Sequence, residues 1–194
     1  MNEKPILFNS EMVNAILSGR KTMTRRIISE KTLHLFGVAA SSGECHPIEL
    51  CDQRSQSYYL DFCPLGKPGD QLWVREAFAA GLCTESTLAY RATHKPEDLE
   101  EGWGETIKWT PSIHMPRWAS RINLLITGVR VERLNTISTG DAMAEGYPVE
   151  REATGGSLDA WLWFRELWDG IYPDNTFEVN PWCWVIEFER MEAK

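Results

Sequence analysis

Two long β-prone runs constrain the fold of this chain more than any other feature. Residues 122–134 are rich in apolar and β-branched side chains and are interrupted at Gly128. They predict two strands, or one strand bent at Gly128, because an interior glycine often marks a bend. Residues 182–188 predict a strong closing strand in which Trp182 and Trp184 share one face. We expect that face to pack in the core; the alternative is that it lines a pocket.

Shorter strands are expected around these two runs. Residues 6–8 predict an opening strand, and residues 71–75 and 88–92 predict two more. Short strands combined with few helices favour an α+β fold, built as a small β-barrel decorated with short helices. We expect a single domain over residues 1–194.

Three helices are predicted from capping signals and apolar spacing. Asn9 or Ser10 can cap the first, Ser138 or Thr139 the second, and Ser157 the third. The glycines expected to end these helices are Gly19, Gly146 and Gly170.

Two regions look like insertions into this framework. Residues 30–66 lack clear periodicity and suggest an irregular or small β excursion, so a loop-rich insertion is expected there. Residues 93–116 include a polar, glycine-containing stretch that predicts a second, solvated insertion.

Composition excludes several classes of function. The net charge of −8 leaves no overall basic field for a long polyanion, so any nucleic-acid contact must be local. No apolar run is long enough to span a bilayer, and the first residues show no leader, so a cytoplasmic protein is expected. The odd count of five cysteines favours reduced thiols. No protein partner is evident.

The most concentrated chemistry lies at residues 19–26, which read Gly-Arg-Lys-Thr-Met-Thr-Arg-Arg. A partly desolvated Lys21 could remove the proton of Thr24 and so activate it as a nucleophile. The alternative is a strand-edge lysine beside solvated Arg25 and Arg26. In a regular strand Lys21 and Thr24 would also point to opposite faces, so they could meet only across a bulge, a turn or a helix exit.

Two carboxylates are candidates for a proton donor. Glu145 ends a short helix, where the negative end of the helix dipole favours the neutral acid. The alternative for Glu145 is an exposed helix end. Glu76 follows a predicted strand and could equally pair with Arg75 or Arg91.

Other polar residues suggest binding more weakly. His114, Arg117 and Trp118 lie in one loop, where they could contact a base or a phosphate, or simply pack over the barrel. Thiolate and imidazole groups at Cys45, His46, Cys51 and Cys63 are of the types that bind zinc, but their spacing lacks the usual paired-cysteine knuckle. No metal and no cofactor are expected.

Four motifs together resemble the ASCH domain family, which is related to the PUA-like barrels. They are the octet at 19–26, Pro-Gly-Asp-Gln-Leu-Trp-Val-Arg-Glu at 68–76, Asp-Ala-Met-Ala-Glu-Gly at 141–146, and Trp-Val-Ile-Glu-Phe at 184–188. Residues 111–121 and 180–182 also resemble the longer ASCH proteins common in phages and prophages.

The resemblance implies a function as well as a fold. The family includes a bacterial amidohydrolase that removes the acetyl group from N(4)-acetylcytidine. Lys21 matches its activating lysine, Thr24 its nucleophile and Glu145 its acid/base carboxylate. Arg20 and Arg26 would orient the ribose or stabilise the oxyanion. The substrate would be a modified nucleoside or an RNA, without a metal.

Two other functions are compatible with the same residues. A non-catalytic RNA-binding module could use the same cleft, since other family members are linked to RNA binding. A ribonuclease is the third possibility, with Lys21 and His114 acting near a ribose hydroxyl. Fold-level resemblance alone does not choose among the three.

Overall fold

A computed structural model describes residues 2–81, 87–95 and 107–192 of the chain. Its strands are Glu3–Leu7 (β1), Met23–Ile27 (β2), Gln71–Arg75 (β3), Phe78–Ala80 (β4), Leu88–Tyr90 (β5), Asn123–Arg133 (β6) and Trp182–Arg190 (β7). Its helices are Ser10–Leu17 (α1), Glu30–Ser41 (α2), Gln53–Leu60 (α3), Thr139–Ala144 (α4), Val149–Glu152 (α5) and Asp159–Ile171 (α6). Cys83 and residues 96–106 of the expected loop lie outside the described residues.

The fold is mixed α+β around one five-stranded sheet. The strand order is β1-β3-β6-β7-β2, and β4 and β5 form a separate hairpin. Only β1 and β3 run parallel; the other neighbours in the sheet are antiparallel. In this order β1 and β2 are the two edges, and the described contact between them is a side-chain bond from Arg26 Nη2 to the Leu7 carbonyl. Closure into a barrel therefore stays a prediction.

The two β-prone runs pair with each other along most of their length. Residues 123–133 form one strand, β6, whose register against β7 shifts between Ile126 and Gly128, which confirms the bent-strand alternative. A Cβ on Gly128 would lie 2.9 Å from Glu187 Oε2. The close atoms belong to the flexible Glu187 side chain, so a larger residue at position 128 would require that side chain to move. Trp182 and Trp184 are both buried, as preferred.

The exit of α1 determines where the basic octet goes. Asn9 caps the helix by accepting a bond from the Met12 amide, and Gly19 has a φ of +77°, as the sequence predicts. The amides of Arg20 and Lys21 both donate to the Ala15 carbonyl, at 2.9 and 3.0 Å. The chain therefore turns tightly before β2 begins at Met23. Lys21 precedes the strand, so the strand-parity objection does not apply to it.

Residues 30–66, all of which the structure describes, contain the helices α2 and α3 and no strand, so the expectation of an irregular or β, loop-rich insertion is wrong. Ser29 caps α2 through the Thr32 amide, and Asp52 caps α3 through the Arg54 amide. The helices bury only a narrow apolar stripe, whose Phe36 ring lies 4.7 Å from that of Tyr59 and 6.2 Å from that of Trp184. A stripe this narrow leaves little apolar periodicity to read in the sequence.

The third predicted helix, α6, packs on the opposite side of the sheet. Ala160, Phe164 and Trp168 are its buried residues, and they join a second core cluster with Leu134 and Cys183. Its predicted cap is wrong: Leu158 occupies the N-cap position and makes no side-chain capping bond. Along the parts of the chain that are described, none of the helices has the length and apolar character needed to cross a bilayer.

Candidate functional site

Lys21 is buried at the centre of the candidate site. Its exposed fraction is 2%, and its ammonium donates to Glu145 Oε2, the Glu145 carbonyl and the Met23 carbonyl, each at 2.8 Å. Burial lowers the pKa of Lys21, and the nearby positive charges of Arg26 and Arg25 lower it further; the Glu145 carboxylate opposes the shift. Such a lysine is closer to acting as a base than an exposed one.

Glu145 is held against Lys21 by the end of α4. It is the residue after Ala144, and the backbones of Lys21 and Glu145 form a β-bridge. Its side chain is 4% exposed, so the alternative of an exposed helix end is wrong. The next residue, Gly146, has a φ of +106°, and a Cβ there would lie 3.0 Å from Ala15 Cβ and 3.3 Å from Lys21 Cβ.

Arg25 is a second cation on the same carboxylate. Its Nη1 donates to Glu145 Oε1 at 3.1 Å, and its Nη2 donates to Asp141 Oδ2 at 2.7 Å. The alternative of a solvated Arg25 is wrong, because only 2% of the residue is exposed. The signal that could have found it is the spacing of Asp141 and Glu145. Carboxylates four residues apart lie on one helix face and attract a shared cation.

Thr24 lies beside this cluster on β2 and is 1% exposed. Its Oγ1 accepts a bond from Arg26 Nη1 at 2.8 Å. The Arg26 guanidinium also donates to the Leu7 carbonyl and lies 5.3 Å from the centre of the Phe8 ring. Lys21 Nζ lies 5.6 Å from the same ring. In this arrangement the three hydrogens of Lys21 go to Glu145 and Met23, and the described partner of Thr24 is Arg26.

Two cavities meet at this cluster. The larger has a volume of about 370 Å³ and is lined by Glu11, Met12, Asn14, Arg20, Glu145, Gly146, Pro148, Glu150, Trp163 and Leu167. The smaller, of about 20 Å³, is lined by Met12, Thr24, Arg25, Arg26, Glu145, Phe164, Leu167, Trp168, Ile171 and Tyr172. Met12, Glu145 and Leu167 line both cavities. Thr24, the candidate nucleophile, therefore faces the smaller cavity. The larger cavity lies on the other side of the wall formed by the three shared residues.

Arg20 lines the larger cavity from the exit of α1. Its Nη1 donates to the Tyr147 carbonyl at 3.0 Å, and its Nε donates to Ser18 Oγ at 3.0 Å. These bonds fix the guanidinium at the rim of the cavity, next to the backbone that follows Glu145.

The remaining predicted binding residues do not line either cavity. Glu76 is buried and forms a two-bond ion pair with Arg121, at 2.8 and 3.0 Å. Arg117 pairs with Glu3 on β1, and Trp118 is 68% exposed. His114 lies in the short 3₁₀ turn Ser112–His114. The structure does not place these four residues beside Lys21, and a binding function for them stays a prediction.

The candidate zinc residues form bonds within the helical insertion. His46 Nδ1 lies 3.0 Å from Ser55 Oγ, and Cys45 Sγ lies 3.8 Å from the Phe36 carbonyl. Cys45, Cys51, Cys63 and Cys183 are free thiols. Over the described ranges, no three His, Cys, Asp or Glu side chains are grouped closely enough to bind a metal ion.

Comparison with known proteins finds similarity at the level of the backbone. The chain is similar to the crystal structure of an ASCH domain from Lactobacillus crispatus, with 12% identity and a TM-score of 0.44, covering 97% of this chain and 79% of that one. It is also similar to protein EF3133 from Enterococcus faecalis, of family DUF984, with 12% identity and a TM-score of 0.44, covering 98% and 76%. No protein-family model and no curated protein matches the chain.

Proposed function

We propose that the protein hydrolyses a small acyl amide carried by a nucleoside-like substrate. One observation carries the proposal: the buried Lys21–Glu145 pair, 2.8 Å apart, stands beside the wall shared by a 370 Å³ cavity and the chamber of Thr24. Small-molecule sites have volumes of about 300–1,000 Å³, so the larger cavity suits a nucleoside-sized ligand. The resemblance of the sequence motifs to ASCH proteins supports the same reaction.

The first step is a proton transfer within the buried pair. Moving one proton from Lys21 Nζ to Glu145 Oε2 turns an ammonium and a carboxylate into an amine and a carboxylic acid. Burial favours the neutral amine of Lys21, because it penalises the charged ammonium. The products are the two groups that amide hydrolysis requires, namely a base for the nucleophile and an acid for the leaving amine.

The second step is attack by Thr24 on the acyl carbonyl. Lys21 Nζ exchanges the Met23 carbonyl for the Thr24 hydroxyl and takes its proton, while Oγ1 bonds to the carbonyl carbon. The carbonyl oxygen becomes an oxyanion, and Arg26, already 2.8 Å from Oγ1, is placed to stabilise it. Glu145 then gives its proton to the amine nitrogen, the carbon–nitrogen bond breaks, and water later hydrolyses the threonine ester.

The shape and charge of the cavities support a particular kind of substrate. A chamber of about 20 Å³ beside Thr24 favours a short acyl group such as acetyl. The larger cavity offers the side chain of Trp163 for stacking against a base and Arg20 at its rim. Glu11 and Glu150 also line that cavity, and their charges disfavour a phosphate. An uncharged nucleoside therefore fits better than RNA.

The test is mass spectrometry of the full chain incubated with N(4)-acetylcytidine, with its propionyl and benzoyl analogues alongside. Release of acetate and cytidine is expected. Thr24→Val removes the hydroxyl at constant shape, and Thr24→Ser keeps it, so these two form a matched pair. We expect at least about a hundredfold loss of kcat/KM in Thr24→Val, typical of losing a nucleophile or its base, and partial activity in Thr24→Ser.

Full turnover by Thr24→Val would refute the proposed nucleophile. Glu145→Gln keeps the size of the side chain but cannot donate the proton, and it should lose activity most on substrates with poor leaving amines. Binding of acylated nucleosides without any product would instead favour a non-catalytic binding module. Salt-sensitive binding or cleavage of labelled RNA would favour the RNA-directed alternatives.

A further inference from the structure

The Lys21–Glu145 pair belongs to a longer chain of alternating charges. Arg25 connects the pair to Asp141, since its two terminal nitrogens donate to Glu145 at 3.1 Å and to Asp141 at 2.7 Å. Asp141 Oδ2 also accepts from Arg130 Nη2 at 3.0 Å. Arg130 continues the chain through Glu132 and Glu187. The series runs from a fully buried amine to the protein surface.

Arg25 is placed to act on Lys21 without touching it. It occupies the second oxygen of the same carboxylate that Lys21 uses, and its guanidinium is 1% exposed. Two buried cations on one carboxylate compete for its negative charge. Asp141, which is 24% exposed, supplies a second negative charge that neutralises Arg25 from the other side.

We propose that Arg25 is a positioning residue that holds Glu145 against Lys21 and, balanced by Asp141, sets the pH at which Lys21 gives up its proton. The proposal rests on the hydrolase function, because that chemistry requires the neutral amine. Glu145, Arg26 and Arg25 act on Lys21 directly, and the other charged groups in or near this series surround them. The charged or titratable groups concerned are Arg25 and Arg26 on β2, Asp141 and Glu145 at α4, Arg130 and Glu132 on β6, Cys183 and Glu187 on β7, and Glu11 and Glu150 at the cavity rim.

Removing a positive charge and removing a negative charge from this series should have opposite effects on the pKa of Lys21. Arg25→Met removes a cation near Lys21 at similar size, so the ammonium becomes more stable and the pKa of Lys21 rises. Asp141→Asn removes a negative charge and leaves Arg25 less neutralised, so the ammonium becomes less stable and the same pKa falls. A nearby charge shifts a pKa by about one unit. The Arg25 variant should show the larger change, because Arg25 shares the Glu145 carboxylate with Lys21 and Asp141 does not.

The experiment measures the titration of Lys21 directly. Nuclear magnetic resonance of protein carrying isotope-labelled lysine follows the seven lysines of the chain, and Lys21→Met assigns the relevant signal. The expected result is a higher midpoint in Arg25→Met and a lower one in Asp141→Asn, relative to the natural sequence. Arg54→Gln is the matched control, since it removes an arginine from an exposed ion pair with Asp52 and should leave the midpoint unchanged.

Midpoints that stay equal, or that move in the same direction in both variants, would overturn the proposal. If Arg25→Met does not fold, the fall expected in Asp141→Asn still decides the question. In the enzyme assay, the acidic limb of the kcat/KM profile should move with the midpoint, because that limb reports the free enzyme. Absence of hydrolysis by the natural sequence would remove the proposed function, whereas the resonance midpoints would still test Arg25.

Discussion

Gly146 offers a direct test of how α1 and α4 bring Lys21 and Glu145 together. Its φ of +106° suits glycine, and an added Cβ would lie 3.0 Å from Ala15 Cβ and 3.3 Å from Lys21 Cβ. A non-glycine residue at positive φ costs about 1–3 kcal/mol. Forcing an extra carbon into a packed position costs about 1–3 kcal/mol more. Gly146→Ala should therefore lower the free energy of unfolding by about 2–6 kcal/mol, a large part of the 5–15 kcal/mol typical of a domain.

The assay is urea unfolding followed by the fluorescence of the nine tryptophans. Gly140→Ala is the matched control within α4: its Cβ would meet only Ser138 Oγ, at 3.8 Å, and its φ is not positive. Because alanine is a better helix former than glycine, the control should be neutral or stabilising by up to about 1 kcal/mol.

A double variant separates the two costs. Ala15→Gly removes the nearest contact but leaves the backbone strain, so Gly146→Ala should cost less in that background by about 1 kcal/mol or more. Equal losses in Gly146→Ala and Gly140→Ala would refute the reasoning, since only the first position has a crowded neighbour and a positive φ. If Gly146→Ala lowers the free energy of unfolding equally with and without Ala15→Gly, the whole loss comes from backbone strain at the positive φ.

Two further predictions concern the cavity and acid stability. Leu167 lines both cavities, so Leu167→Ala should join them. We expect the variant to raise kcat/KM for the propionyl substrate relative to the acetyl substrate. An unchanged ratio would contradict the proposal that the smaller cavity holds the acyl group. Bonds from the backbone amides of Asn2 and Lys67 lower the pKa of Asp70 below its ordinary value of 3.8. A carboxyl with a lowered folded-state pKa stabilises the fold above its unfolded value, and that stability is lost as the pH falls. Asp70→Asn should therefore be less stable than the natural sequence at neutral pH, with the difference shrinking below pH 3.8 in unfolding curves.

Local signals were sufficient to predict the framework of the fold. Asn9 and Gly19 mark the ends of α1 through capping chemistry that depends on a few neighbouring residues. Gly128 marks the register shift of β6 because an interior glycine is a local signal for a bulge or bend. The helices of residues 30–66 escaped prediction since their apolar stripe is narrow and their caps are the main local signal.

The candidate site was predictable only in part. The meeting of Lys21 with Glu145 follows from motifs that lie more than a hundred residues apart, and no local pattern connects them. The burial of Arg25 could not be read from β2 alone, because an arginine at a strand edge is usually solvated. It depends on Asp141 and Glu145 approaching from α4, which is a tertiary contact.

Arg26 connects Thr24, the candidate nucleophile, to the edge strand β1. One of its nitrogens reaches Thr24, and another reaches the Leu7 carbonyl at the end of the opposite edge strand. Edge regions open locally at lower free energy than the centre of a sheet. Each opening of β1 removes the bond to the Leu7 carbonyl, one of the bonds that hold the guanidinium beside the hydroxyl. The temperature dependence of turnover should therefore follow fraying of that strand, well below the point at which the whole domain melts.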